Sequence, residues 1–147
     1  MAEGLLNHAL SGQDEPLRSL KVISAGLAAR PGEHVSANSV AALKKVGLDI
    51  SGHRARPLTQ EMLDDALAVF CMTQSHCGLI ELQASPVPER MHLLRDFMPE
   101  GSTREIVDPY GGSLKHYELC RDEIVEAVPG LIAYLKGLVA PPPASGR

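Results

Sequence analysis

Leu67-Ala68-Val69-Phe70-Cys71-Met72-Thr73 decides the fold. The run is apolar up to Thr73, without the polar alternation of a half-exposed strand. It reads as a strand buried on both faces, as in a parallel sheet covered by helices. Helix patterns flank it. One starts at Thr59 and reaches about Ala66, and another runs from Ser75 to about Gln83. Arg90-Met-His-Leu-Leu94 follows a turn with Pro86 and Pro88 and reads as the next strand. Upstream, Leu20-Lys-Val-Ile-Ser24 is a short β-branched run that ends in Ala25-Gly26, a strand and then a turn. Strands alternating with helices predict an α/β domain of three layers around a mostly parallel sheet.

Further out, Ala2 to about Leu10 is helix-like, with Leu5, Leu6 and Ala9 on one side. Ser36 is a good N-cap for a helix through Val46, and Gly47 supplies its stop. Ser113 caps a long helix with Leu114, Tyr117, Ile124, Val128, Leu131 and Leu135 at near-helical spacing. Pro129-Gly130 predicts a kink or split near Val128. One domain over residues 1–138 is expected, with a disordered tail over 139–147 in which Pro141-Pro142-Pro143 stand together.

The chain has 147 residues, 44% of them hydrophobic and 22% charged, with a net charge of -4. These values describe an ordinary soluble domain and give no basic surface for nucleic acid. No apolar run approaches the roughly 18 residues that a membrane span needs. The N-terminus lacks the basic and apolar regions of a secretory signal, so a cytoplasmic location is expected. The three cysteines, Cys71, Cys77 and Cys120, form no C-x-x-C and read as inert core thiols. His34, His76, His92 and His116 form no ligand-spaced set, so neither metal nor other cofactor is expected.

Chemistry concentrates in Asp108-Pro109-Tyr110-Gly111-Gly112. Proline restrains the residue before it, and two glycines let the following chain turn sharply. An aspartate fixed on such a loop beside an aromatic ring can serve as a general acid. Taken alone, the segment is equally a plain Asp-Pro turn. Gly52-His53-Arg54-Ala55-Arg56 could border an anionic substrate or be solvated loop charge. Ser24-Ala25-Gly26 ends a strand where α/β folds place ligand sites, or is a simple turn.

Taken in order, these segments resemble the low-molecular-weight protein tyrosine phosphatase family, which includes the bacterial protein-arginine phosphatases. The likeness rests on Ser24-Ala25-Gly26, on residues 47–59 around His53, on Ala68 to Thr73, on Asp108 to Ser113, and on the helix with Tyr117 and Arg121 to Ile124. It implies a protein phosphatase acting on phosphotyrosine or phosphoarginine, with a phosphorylated protein as substrate and no metal. It matches Asp108 to the general acid and Tyr110 to an aromatic position lining the substrate cleft. It matches His53 and Ser24 to residues that hydrogen-bond the phosphate loop and fix its shape.

The family's pattern opens with a strand and C-x5-R-S-P before a Met-Ala-Glu. This sequence starts at Met1-Ala2-Glu3, and none of its cysteines has an arginine six residues on. The resemblance therefore implies that the nucleophilic cysteine and its arginine are missing. It also implies that the sequence was cut short at an internal methionine and that the chain as written is inactive. The family's sheet is ordered 2-1-3-4, so the central first strand is expected to be absent. Unpaired edges at the Leu20 and Leu67 strands are then expected to leave the chain unstable or prone to aggregate. A non-catalytic, partner-binding derivative is a second expectation. A relative of the thioredoxin-coupled arsenate reductases, invited by Cys71 and Cys77, is a third.

Overall fold

The computed structural model describes residues 1–140. In chain order they form helix α1 (Ala2–Ser11), a 3-10 turn (Leu17–Ser19), helices α2 (Ala37–Lys44) and α3 (Gln60–Asp65), strand β1 (Val69–Cys71), helix α4 (Gln74–Gln83), strand β2 (Met91–Leu93) and helix α5 (Leu114–Val139). The expected α/β class and parallel sheet are present. β1 and β2 pair in parallel, with Val69 opposite Met91 and Cys71 opposite Leu93.

The apolar run is therefore a strand, trimmed to its middle. Helix caps fall where small hydroxyl residues stand. The Ser36, Thr59 and Thr73 side chains accept backbone N–H bonds from Ser39, Met62 and His76, which opens α2, α3 and α4.

The segment Leu20–Ser24 departs from expectation. It joins no ladder, and the only sheet among the described residues is β1-β2. The physical reason lies in its hydrogen bonds. The Asn7 carboxamide takes the Val22 N–H and donates to the Val22 carbonyl, both at 2.9 Å, in place of a neighbouring strand. The Ser24 N–H goes to the Glu3 carboxylate at 2.7 Å. Helix α1 thus satisfies backbone groups that were expected to be bare. β1 is paired along one side only.

Pro129 gives a second departure. α5 runs unbroken from Leu114 to Val139 with this proline inside it. An interior proline costs about 3 kcal/mol. Ile124 and Ala127 before it and Leu131 and Leu135 after it are all buried in the main core. Each large apolar side chain contributes about 1.5–3 kcal/mol by burial, so continuity of that stripe wins. Gly130 helps, since a Cβ there would lie 2.5 Å from the Phe97 carbonyl oxygen. Val139 closes α5 instead of starting a tail, and residues 141–147 of the expected tail lie outside the described residues.

The main core joins Leu5, Leu6 and Leu10 of α1, Leu43 of α2 and the inner face of α5. A smaller one gathers Leu63, Cys71, Cys77, Ile80 and Leu93 beneath α3 and α4. His92 is structural, as expected. Its Nε2 meets the Tyr134 hydroxyl at 2.9 Å, and Tyr134 stacks on Phe97 with centroids 4.2 Å apart.

Arg95 is the buried polar residue that the sequence did not announce, at 4% exposure. It donates to the Thr103 and Glu123 carbonyl oxygens at 2.8 and 2.7 Å, tying the segment after β2 to α5. Its carboxylate partner Glu126 is itself 59% exposed, so removing the arginine strands no buried charge. Arg95→Ala is expected to cost about 3 kcal/mol, from lost charged hydrogen bonds and packing, read as a lowered urea midpoint. An unchanged midpoint would deny it that tying role.

Candidate functional site

Asp108 sits on a loop pinned at both ends. At its start, Ile106 is 2% exposed, and its N–H donates to the Met72 carbonyl just beyond β1 at 2.9 Å. At its end, the Asn38 Nδ2 on α2 donates to the Gly112 carbonyl at 3.3 Å. Between them the chain turns tightly. The Gly112 N–H reaches the Pro109 carbonyl at 2.8 Å, and Gly111 has φ +79°, which a side chain disfavours. The Asp108 Oδ1 accepts the Tyr110 N–H at 3.0 Å, which orients the carboxylate.

This loop borders a cleft of about 330 Å³. Met1 and Ala2, at the N-terminal end of α1, form one wall. Asp108, Pro109 and Tyr110 also line it, with Ser36, His76 and Cys120. Tyr110 is 86% exposed, so its ring stands at the mouth. Asp108, Tyr110 and the start of α1 thus border one cleft.

His53 and Ser24 do not line this cleft. A second cavity of about 300 Å³ is lined by Met1, Glu3, Gly4, Asp49, Ile50, Gly52 and His53. Ser24 lines neither cavity. One residue unites the pair. The Glu3 carboxylate accepts the Ser24 N–H at 2.7 Å and the Ser24 hydroxyl at 3.0 Å, and meets His53 Nδ1 at 3.3 Å. Glu3 is the site residue that sequence reasoning missed. Its signals were its place in the Met1-Ala2-Glu3 that matches the family's pattern and in the first turn of α1, which reads equally as a favourable helix charge. Arg54 does not border either cavity. Its Nη1 turns back onto the Ser51 and His53 carbonyls at 3.1 and 2.9 Å. Arg56 lines neither cavity.

The cysteines are poor nucleophiles where they stand. Cys120 reaches the cleft, yet burial, and then the Glu123 charge, push its thiol up to about 11. Burial and the Cys77 thiol push Cys71 up to about 12. Cys71 and Cys77 belong to the smaller core and do not line the cleft. Burial thus keeps the Cys120 thiol in its protonated, weakly nucleophilic form near neutral pH. Iodoacetamide at that pH is therefore expected to label Cys71 and Cys120 of the native chain far more slowly than the urea-unfolded chain. Rapid native labelling at Cys120, read by mass spectrometry, would show an activated thiol instead. Among the described residues no group of three His, Cys, Asp or Glu side chains could hold a metal ion.

In a parallel-sheet α/β domain, a cleft lined by both a loop carboxylate and a helix N-terminus is a place where an anionic group can be held near that terminus. Comparison with known proteins gives the family. The model of the low molecular weight phosphotyrosine protein phosphatases matches residues 1–139, and the chain belongs to that family. It is 31% identical over 118 residues to the protein-arginine-phosphatase of Bacillus subtilis (strain 168), an alignment spanning 80% of this chain and 77% of the relative. The low molecular weight protein tyrosine phosphatase of T. tengcongensis superposes with a TM-score of 0.80 at 32% identity, over 90% of this chain and 88% of that one. A cysteine-to-serine mutant of YwlE arginine phosphatase with a phosphorylated active-site serine superposes with a TM-score of 0.78 at 30% identity, over 92% and 86% of the two chains. No helix among the described residues is long and apolar enough to cross a membrane.

Proposed function

We propose that this chain is the acid-bearing body of a cysteine-dependent protein phosphatase, whose nucleophilic cysteine and phosphate-binding arginine are not among its 147 residues. One observation carries the reading: Asp108 lies on a loop fixed at both ends and lines the same cleft as Met1 and Ala2 at the start of α1. In the first step a thiolate attacks phosphorus, the sulfur–phosphorus bond forms and the bond to the leaving atom breaks. Asp108 gives its proton to that atom. In the second step the Asp108 carboxylate takes a proton from water as the water attacks phosphorus, and thiolate and phosphate are released. No step requires a metal.

Tyr110 at the mouth of the cleft contacts the group that carries the phosphate. Ser24 and His53, joined through Glu3, brace the phosphate loop from behind the start of α1. The substrate is a phosphorylated protein. Likeness to a protein-arginine-phosphatase at 31% identity is matched by likeness to a protein tyrosine phosphatase at 32%, and only the Asp108-Pro-Tyr-Gly-Gly-Ser113 sequence leans slightly toward phosphoarginine. Joining a strand and C-x5-R-S-P segment ahead of Met1 tests the reading. The hybrid is expected to release phosphate from phosphoarginine and from an aryl phosphate, favouring the first. A folded hybrid inert on both would refute it.

A further inference from the structure

We infer that His116 is a positioning residue for the Asp108 loop, and that it holds the loop only while its imidazole is neutral; this inference rests on the loop's proposed role. His116 stands in the first turn of α5, just after the loop. The Ser113 N–H points at His116 Nδ1 at 3.1 Å, and the Ser113 hydroxyl lies at the same distance from that nitrogen. A backbone N–H can only donate. The Nδ1 facing it is therefore an unprotonated acceptor, and the ring proton sits on Nε2. The His116 N–H in turn reaches the Ser113 carbonyl at 3.0 Å, so the two residues close a reciprocal cap.

A second observation shows that the ring is built into the loop rather than lying near it. A Cβ on Gly112 would stand 2.9 Å from His116 Nδ1, 3.0 Å from its Cβ and 2.8 Å from the Pro109 carbonyl oxygen. Only glycine allows backbone and imidazole to approach this closely. From Gly112 the contacts continue toward the carboxylate. Its N–H holds the Pro109 carbonyl, and the next residue, Tyr110, gives its N–H to Asp108 Oδ1. Loss of the Ser113–His116 bond frees the end of this chain of contacts, leaving Asn38 as the remaining side-chain anchor there.

Protonation provides that loss. An imidazolium is a donor at both nitrogens, so its Nδ1–H would face the Ser113 N–H with no acceptor between them. His116 is exposed, so a proton reaches it without unfolding. On α5 itself Lys115 precedes it in sequence, and Glu118, two residues on, pairs with Lys45 of α2.

Hydrogen exchange on the 147-residue chain tests this at 10 °C, comparing protection at Tyr110, Gly112 and Ser113 at pH 8.0 and 5.5. Rates are corrected for intrinsic exchange and referred to amides in the middle of α5. Wild-type protection is expected to fall about tenfold toward pH 5.5, the worth of one hydrogen bond. His116→Gln keeps an acceptor that does not titrate, so its protection is expected to stay high at both values. His116→Ala is expected to be weakly protected at both. Wild-type protection that does not change with pH, or a His116→Gln loop that loosens in parallel with wild type, would overturn the inference. Should the alanine variant not fold, the comparison of wild type with His116→Gln still decides. The readout involves no phosphate chemistry, so it can fail while the Asp108 reading stands, and the reverse.

Discussion

The 147-residue polypeptide is expected to release no phosphate from p-nitrophenyl phosphate or phosphoarginine above the uncatalysed rate. Phosphate-ester hydrolysis without a nucleophile is among the slowest reactions known, so binding and a well-placed acid alone leave the barrier nearly intact. Each cysteine in the chain fails on a separate physical ground. Cys120 reaches the cleft, but its thiol is held up to about 11 by burial and Glu123, so the attacking form is scarce at neutral pH. Cys71 is held up to about 12, and it shares the smaller core with Cys77. None has an arginine six residues on to receive the phosphate. Continuous phosphate detection checks this, with Cys120→Ser as control. Turnover that the Cys120→Ser change abolishes would mean that the cleft thiol does attack phosphorus.

Much of this arrangement was legible in the residues. The run at 67–73 announced a parallel strand, because unbroken apolarity over that length suits few other elements. Burial on both faces was not met: within β1 only Cys71 is buried, and Val69 and Phe70 are half-buried. The pairing of proline and glycines with Asp108 announced a rigid turn, and the structure shows that turn fixed by Gly111 and Gly112. Ser36 and Thr59 announced two helix starts, because a hydroxyl can accept an orphan N–H there. Thr73, read as the end of the strand run, instead caps α4, which starts one residue ahead of the expected Ser75.

Other features were not legible, because they depend on contacts far apart in the chain. Leu20–Ser24 has strand composition, yet its backbone is satisfied by Asn7 and Glu3 of α1. Local propensity cannot know what lies alongside. Glu3 unites Ser24 and His53, although it stands 21 residues from the first of them. Pro129 has the local chemistry of a break, and the buried stripe on either side of it overrides that chemistry. His116 forms no ligand set, and its part in the loop depends on the close approach to Gly112. In each case tertiary packing decided among options that the sequence left open.

Asp108→Asn is expected to have the second large effect, in the hybrid that carries a strand and C-x5-R-S-P segment ahead of Met1. General-acid assistance contributes about 10²- to 10⁴-fold, so kcat should drop by that factor for a leaving group that departs poorly as an anion. Asparagine preserves the shape at residue 108 and can still receive the Tyr110 N–H that Asp108 Oδ1 accepts, so the loop should keep its place. Substrate binding should change little, which puts the loss in kcat rather than KM.

Leaving-group dependence is the most direct measurement. Rates for the hybrid and its Asp108→Asn variant are compared across aryl phosphates whose phenols run from strongly acidic to weakly acidic. With the proton donor in place, the formation of phosphoenzyme should be nearly indifferent to phenol acidity. Without it, the rate should fall steeply as the phenol becomes less acidic, with the two enzymes converging at the most acidic phenol. Parallel dependences, with equal sensitivity in both enzymes, would mean that the carboxylate at residue 108 does not protonate the departing oxygen.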